Sequence, residues 1–448
     1  MLTTDEIKVL IDNDKTSDKK QFARTGERYY DGDHDINKYR LFYYNADGKL
    51  VEDLTRSNVR ISHPFFTELV DQCTQYVLSG DRFVVADDQK LQTYMDNYFN
   101  NNDSFISELS DCITDSQVKG WAYMYAYKNA KDKMAFAAAD ALDVIEVREK
   151  DADDGCKYTI YHYIERIDKG RKIIKRIQVW DEKETWFYTQ VDGGDIQLDE
   201  SKLNPRPHVL YTQGDKKDAT YFDGFGYIPF IRLDNNKKQF SSLKPVKPLI
   251  DDYDLMASSL SNNLIDFDSP IYAIKGFEGD NLDELQTNLK TKKLIGVGEN
   301  GDVDVKTVDV PYQARQAKLD LDEKNIYRFG MGLNTAGLKD TSATTNIAIK
   351  AAYSLLDLKA KKIEKNLKKM LRKLVEIVVD EINNADGTAY QVEDVRFEFT
   401  HEIMSNAQEN AQIKLTEAQT RQAEINTILS VANVLDDETV VKLSLIHI

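Results

Sequence analysis

The sequence predicts an α+β protein in which long helices and an antiparallel β region occupy separate stretches of the chain. From Trp121 onward the spacing of apolar residues changes from the 3.6-residue period of a helix to the two-residue period of a strand. Further along, two predicted helices bracket a short segment, 271–310, that mixes helix and strand signals. A third helix, 346–382, contains no Gly or Pro and is longer than most globular helices. Together with the length of 448 residues, these features predict a protein of two or more domains.

The N-terminal part predicts mainly helices. Apolar residues recur at helical spacing in 64–80, and two more helices are predicted near 89–98 and 104–118. Between residues 41–44 and 50–52 lies an Asn-Ala-Asp-Gly sequence, which predicts a hairpin because Asp-Gly suits a tight turn.

The β region spans the next hundred or so positions and contains turn clusters rich in Asp and Gly. Its predicted strands are 121–127, 134–138, 143–147, 158–167, 172–180 and 185–190. Alternating apolar residues and short turns predict antiparallel pairing.

Two helices, 246–268 and 312–329, bracket the insert 271–310. In the first helix the stripe predicted to face a core is Leu249, Tyr253, Met256, Leu260, Leu264 and Phe267, and the residues predicted to lie elsewhere are Asp251, Asp252, Asp254 and Asp266. Helix, insert, helix is the order expected of a stalk with a tip.

The insert predicts a strand at 271–275, a short helix at 282–289, and a hairpin formed by 294–297 and 303–308. The predicted hairpin tip is Glu299, Asn300, Gly301 and Asp302, and Lys306 flanks it. These residues are too polar for a core, so we expect Glu299, Asn300, Asp302 and Lys306 to be available to a partner.

The long helix 346–382 has one apolar face and one basic face. The basic face comprises Lys359, Lys361, Lys362, Lys365, Lys368, Lys369, Arg372 and Lys373, with Glu364 as its single acid. Such a face in an acidic protein favours a solvated surface or a contact between subunits over a nucleic-acid site. For the subunit contact, the candidate residues are Lys361, Lys365 and Lys368.

A glycine-marked loop separates the helix 312–329 from the long helix. Its polar residues are Asn334, Lys339, Thr341, Ser342 and Thr344, which could touch phosphate weakly. The alternative is a plain connector that only turns the chain.

Composition excludes several classes of protein. The formal net charge of −17 argues against a protein that coats nucleic acid, because such proteins carry basic patches. Cys73, Cys112 and Cys156 lack the spacing of metal ligands and indicate a reducing compartment. No apolar run approaches the ~20 residues that span a bilayer, so we expect no membrane partner.

No catalytic pattern is present. The sequence lacks G-x-x-x-x-G-K-[ST], H-E-x-x-H and G-x-S-x-G, and its six histidines are scattered, so we expect turn or surface histidines. We therefore expect no catalytic residues, no metal and no cofactor. Two alternatives stay open: a metal-dependent carboxylate nuclease or hydrolase built on the β region, and a coiled-coil scaffold built on 346–382.

Six short segments, in this order, resemble one family. They are Tyr29-Tyr30-Asp31-Gly32, Arg56-Ser57-Asn58 with the helix ending Tyr76-Val77-Leu78-Ser79-Gly80, Gly226-Tyr227-Ile228-Pro229-Phe230, the run Leu243 to Asp254 (LKPVKPLIDDYD), Ile326-Tyr327-Arg328-Phe329-Gly330, and Ala348 to Lys362. The chain resembles the portal proteins of tailed bacteriophages, in the branch found in siphophages of Gram-positive hosts, up to about residue 435.

The resemblance implies a portal fold with named parts. They are an α/β wing (1–243), stem helices (246–268 and 312–329, within 244–330) around a clip (271–310), a tunnel loop (331–344), a long wing helix with a return strand (345–400), and a helical crown (401–448). In that family the crown continues further, so we expect a longer natural protein.

The resemblance also implies a non-enzymatic ring, usually of twelve subunits, in the virion at one capsid vertex. Implied partners are the terminase large subunit, a head–tail adaptor protein, capsid and scaffolding proteins, and the double-stranded DNA in the channel. Assembly is expected in the host cytoplasm.

Overall fold

A computed structural model describes residues 2–54, 56–129, 133–148, 155–167, 169–212, 220–267, 271–275, 302–306, 311–335, 346–401 and 407–431. The helices are α1 (Thr4–Lys15), α2 (Asp18–Tyr30), α3 (Phe65–Val77), α4 (Gln89–Met95), α5 (Asp103–Lys119), α6 (Lys247–Phe267), α7 (Tyr312–Gly330), α8 (Asn346–Asp386) and α9 (Ala407–Val431). The strands are β1 (Phe42–Tyr44), β2 (Leu50–Glu52), β3 (Val84–Ala86), β4 (Trp121–Lys128), β5 (Met134–Ala139), β6 (Val144–Val147), β7 (Tyr158–Ile167), β8 (Lys172–Trp180), β9 (Glu184–Val191), β10 (Ile196–Leu198), β11 (Arg206–Pro207), β12 (Val209–Thr212), β13 (Thr220–Asp223), β14 (Phe230–Asp234), β15 (Ile271–Lys275), β16 (Asp302–Lys306) and β17 (Val395–Phe397). The mixture of helices and small antiparallel sheets confirms the α+β class.

The antiparallel β region is confirmed, with all six predicted strands present as β4 to β9. A sheet in the order β10-β9-β8-β7-β6, with β11 on β9, packs its apolar face against Ile7 and Ile11 of α1. A second sheet, β14-β4-β5, lies against α5 and α8. The alternation of apolar and polar residues predicted these strands because each sheet has one buried face.

Helix α8 lies at the centre of the largest apolar core. Its buried residues include Leu356, Leu367, Met370, Leu374 and Val378, which confirms the predicted apolar face. The helix ends at Asp386, four residues beyond the predicted end, and is about 60 Å long at ~1.5 Å per residue.

Gly120 joins α5 to β4 and is a position that only glycine fits. Its φ is +103°, and a Cβ there would lie 2.4 Å from the carbonyl oxygen of Gln239. Both the left-handed backbone and the close approach therefore require a residue without a side chain.

The chain divides into two compact units. The first comprises residues 1–23, 69–241 and 331–448, and contains both large sheets and α8. The second comprises 24–68 and 242–330, and contains the β1–β2 hairpin and the packed helices α6 and α7.

The predicted apolar stripe of α6 is confirmed only in part, because Leu249, Tyr253, Met256 and Leu260 are half-buried. Leu264 is exposed, whereas Ile250, Asp254 and Ser258 are buried. These three residues are four positions apart and so share one side of the helix. The polar residues on this side are buried because they bind a neighbouring backbone segment, described below.

The insert is described only at its base. β15 and β16 pair antiparallel, with Asp302 opposite Lys275 and Lys306 opposite Ile271. Asp302 is thus part of a strand and not of a turn, because its backbone continues the ladder. The predicted strand 294–297 and helix 282–289 lie outside the described residues.

Candidate functional site

An extended segment, residues 57–63, runs along one side of α6 and is bound by its side chains. Four backbone N–H groups, at every second position, donate to four polar side chains that are four positions apart on the helix. The pairs are Ser57 to Asp266 Oδ1 (3.1 Å), Val59 to Asn262 Oδ1 (2.6 Å), Ile61 to Ser258 Oγ (3.0 Å) and His63 to Asp254 Oδ1 (2.9 Å). We call Asp254, Ser258, Asn262 and Asp266 the polar ladder.

At one end of the polar ladder, Asp254 lies between two histidines. Its Oδ2 is 2.6 Å from His34 Nδ1, and its Oδ1 is 2.8 Å from His63 Nδ1. His34 Nε2 faces the carbonyl oxygen of Tyr29 at 3.2 Å, so both nitrogens of this ring face oxygen atoms. His34 is buried, so the prediction of a turn or surface histidine is wrong for this residue.

The hydrogen bonds fix the charge of Asp254. Burial alone would raise the pKa of this carboxyl, but the hydrogen bonds from His34 and His63 outweigh it and lower the pKa. A fully buried carboxylate is thereby kept ionised by donors from two separate parts of the chain. Next to it Asp251 accepts from the Tyr29 hydroxyl and pairs with Lys247 at 2.7 Å.

The basic face of α8 is smaller than predicted, because Lys359 belongs to the buried side. Its Nζ donates to the carbonyl oxygen of Leu69 at 3.0 Å, and burial lowers the pKa of the amine. Glu364 is also buried, with Oε1 2.7 Å from His401 Nε2, although the two atoms are not aligned as a hydrogen bond. Helical periodicity alone did not distinguish these two positions from the solvated ones.

The three candidate subunit-contact lysines differ in their surroundings. Lys361 pairs with Asp357 at 2.6 Å within the helix, and Lys368 Nζ lies 5.5 Å above the ring of Phe399. Lys365 is exposed, and none of the described acids forms an ion pair with it. Four further exposed cations extend the same surface: Lys362, Lys369, Arg372 and Lys373. The surface available to a partner is therefore centred on Lys365 and its neighbours.

The loop that precedes α8 is described only as far as residue 335. Leu333 is anchored by a reciprocal amide pair, in which its N–H donates to Gln72 Oε1 (3.0 Å) and Gln72 Nε2 donates to its carbonyl oxygen (3.1 Å). The residue with left-handed backbone at the helix end is Met331, with φ +56°. Asn334 follows this anchored start and is half-buried.

The remaining candidate residues are not assembled into a site by the described structure. Lys339, Thr341, Ser342, Thr344, Glu299 and Asn300 lie outside the described residues. Asp302 and Lys306 are placed by their backbone only, in β16. Their roles stay predictions.

The described ranges contain neither a metal-binding cluster nor a membrane-spanning helix. No group of three or more His, Cys, Asp or Glu side chains in them is arranged to hold a metal ion. Nor does any described helix have the length and apolar character needed to cross a membrane.

The described residues form packed helix pairs, small antiparallel sheets and one long core helix, which agrees with the α+β class expected of phage portal proteins. The sequence matches the family "Phage portal protein, SPP1 Gp6-like" over residues 10–444, so the chain belongs to that family. Portal proteins lie at the capsid vertex of the virion as rings, through which DNA passes, and the chain has this portal function.

Two portal proteins illustrate the relationship. The portal protein of Bacillus phage SPP1 is 28% identical over 349 residues, which is 78% of this chain and 67% of the relative. The portal protein of Clostridium phage phiCD119 is 23% identical over 423 residues, which is 91% of this chain and 88% of the relative.

Proposed function

We propose that twelve copies of this chain form a closed ring that is assembled in the host cytoplasm and built into the capsid. Through its channel the terminase large subunit packages double-stranded DNA, and a head–tail adaptor protein later binds the same ring for ejection. Capsid and scaffolding proteins would hold it at the vertex. The match to the portal family across residues 10–444 carries this proposal.

The acidic composition supports a channel that does not grip DNA. Duplex DNA carries one charge per ~1.7 Å and is held mainly by Lys and Arg contacts. A chain with net charge −17 offers few such contacts over most of its surface, so DNA can slide. Because screening limits these forces to ~8 Å at physiological salt, only residues near the channel contribute.

Electron microscopy of the purified protein tests the ring directly. We expect closed rings with one dominant symmetry and no metal-dependent cleavage when duplex DNA is added with Mg²⁺ or Mn²⁺. Monomers that cleave DNA would instead support the alternative of a carboxylate nuclease. Fibres without closure would support a coiled-coil scaffold.

We infer that the exposed cations of α8 contact a neighbouring copy. Reversal of Lys361, Lys365 and Lys368 to Glu should impair ring assembly while the chain stays folded, because partly buried ion pairs would become repulsive. The matched control reverses three exposed lysines elsewhere, Lys8, Lys172 and Lys237, and changes the net charge equally. Rings of normal yield and salt resistance from the α8 variant would refute this contact.

The clip and the tunnel loop complete the proposal. Deletion of 299–301, which leaves β16 intact, should weaken capture of the terminase large subunit in a pull-down without changing ring yield, and unchanged capture would exclude the tip as its binding site. Lys339→Ala should reduce the nuclease protection of packaged DNA more than it reduces ring stability. Equal protection would leave residues 331–344 as a connector.

A further inference from the structure

The hairpin formed by β1 and β2 exposes apolar side chains on both of its faces. Tyr44 and Leu50 lie opposite each other on one face, and Tyr43 and Val51 lie opposite each other on the other. All four are exposed, and Tyr44 is 74% accessible. A two-stranded hairpin on a soluble surface normally covers one apolar face and presents polar residues on the other.

The apolar surface extends beyond the strands. Leu54, just after β2, is 84% exposed, and Phe42 is exposed at the start of β1. Leu264 and Ile265 are exposed near the end of α6, the same end that binds Ser57 through Asp266. Single exposed apolar residues are ordinary, but a cluster of this kind marks a surface for association.

The hairpin is held in place and is not a loose arm. The chain that follows it is fixed by two bonds of the polar ladder, from Val59 to Asn262 and from Ser57 to Asp266. At its base Arg40 pairs with Glu52 at 3.0 Å. Within the described residues no third strand joins β1 or β2, and an isolated two-stranded hairpin is at best marginally stable in water.

Charge indicates what covers this surface. Residues 38–60 contain five Lys or Arg and three Asp or Glu, a net charge of +2, which leaves −19 for the rest of the −17 chain. Three of the five cations are already paired, Lys38 with Asp33, Arg40 with Glu52 and Arg56 with Asp266. Asp33 and Asp266 lie outside the segment, so this surface is close to neutral on an acidic chain, and two acidic copies repel each other least here. Duplex DNA fits less well, because Arg40 is already paired and the exposed side chains are mainly apolar.

We propose that the β1–β2 hairpin docks on a neighbouring copy of this chain in the assembled ring, with Tyr44 and Phe42 as its anchoring residues. The contact joins two different surfaces, as the head-to-tail arrangement of a closed ring requires. The inference rests on the ring of the proposed function and adds the segment that links one subunit to the next.

A photo-crosslinker at residue 44 tests whether the hairpin touches a neighbouring copy. In the variant Tyr44→p-benzoylphenylalanine, rings assembled from mixed ¹⁵N-labelled and unlabelled chains are irradiated and their peptides are analysed by mass spectrometry. We expect cross-links that join labelled to unlabelled peptides, that is, two different copies. Cross-links confined to one copy, or to added duplex DNA or anionic vesicles, would overturn the inference.

Substitution gives an independent test. The double variant Phe42→Ser, Tyr44→Ser should raise the protein concentration needed for half-maximal ring assembly by about 30-fold or more, the loss typical of a removed hot-spot residue. The control is Val9→Ser, which removes an exposed apolar residue outside this surface and should leave assembly unchanged. Rings of unchanged stability from the double variant would overturn the inference alone, whereas absence of rings from the wild type would overturn the proposed function with it.

Discussion

Replacement of Asp254 by asparagine tests the cluster at the end of the polar ladder. The change keeps the shape of the side chain but removes its charge and turns one acceptor into a donor. That donor would face a ring nitrogen of His34 or His63, both of which lie within 2.8 Å of the carboxylate. The oxygen that remains can accept from only one of the two histidines, so the other loses its present hydrogen bond unless it rearranges.

The magnitude follows from the three bonds and the burial. Asp254 accepts from His34 Nδ1, His63 Nδ1 and the His63 backbone N–H, and it is fully buried. Removal of one partner from a buried, hydrogen-bonded charge pair costs about 3–5 kcal/mol. This corresponds to an equilibrium for local opening that is about 100- to 4,000-fold more favourable.

Hydrogen exchange of individual backbone amides measures this local opening residue by residue. Amides of 57–63 and of α6 should exchange faster by that factor in Asp254→Asn, because their opening free energy falls. The control is Asp252→Asn on the same helix, whose half-exposed carboxylate pairs with Lys318 and should contribute only ~0–1 kcal/mol.

The pH dependence provides the refuting result. Because the pKa of Asp254 is lowered in the folded state, its contribution is complete above the usual value of 3.8 and is lost as the pH falls through the lowered value. The difference between wild type and variant should therefore shrink in acid. Equal exchange of the two proteins at pH 7, or a difference that does not change in acid, would contradict the assigned bonds.

Two further substitutions probe other positions. Because burial lowers the pKa of Lys359, the unfolded chain binds more protons below the usual 10.5, so stability should rise with pH by up to about 1.4 kcal/mol per unit. Lys359→Met should remove this slope in urea unfolding as the pH approaches 10.5 from below, and equal slopes would count against a buried amine. Gly120→Ala should cost more than ~1 kcal/mol and lower the urea midpoint, because its Cβ would meet the Gln239 carbonyl. In the control Gly32→Ala the backbone is also left-handed but no atom lies within 4 Å, so the loss should be smaller, and equal losses would disprove the steric argument.

The elements that the sequence predicted well are those whose pattern depends on one buried face. β7 and β8 have the predicted bounds because their side chains alternate between core and solvent, and α8 followed its apolar stripe from Tyr353 to Ile382. The bounds of α6 were predicted, but the side of the helix that is most deeply buried was not. Asp254 and Ser258 resemble a solvated helix face, and nothing in the sequence shows that a backbone segment two hundred residues away lies upon them.

The candidate site was predictable in part for the same reason. A stripe of lysines on a helix is visible in the sequence, but whether one of them reaches a buried carbonyl, as Lys359 reaches Leu69, depends on packing. The clip and tunnel residues are proposed to act on partners, and such roles depend on surfaces outside this chain, which its periodicity and its fold do not contain.

The polar ladder also has a built-in limit to its length. Two residues of extended chain advance about 6.6 Å, whereas four residues of α-helix advance about 6.0 Å. Each rung therefore falls out of step by roughly 0.6 Å, and three intervals accumulate nearly 2 Å. Four bonds, from Ser57 to His63, are about as many as the two repeats can share before a rung exceeds hydrogen-bonding distance. An insertion of a single residue in the segment or in the helix would shift every hydrogen bond beyond it out of register. The spacing of the polar side chains on α6 therefore fixes the number of residues in the segment that binds to it.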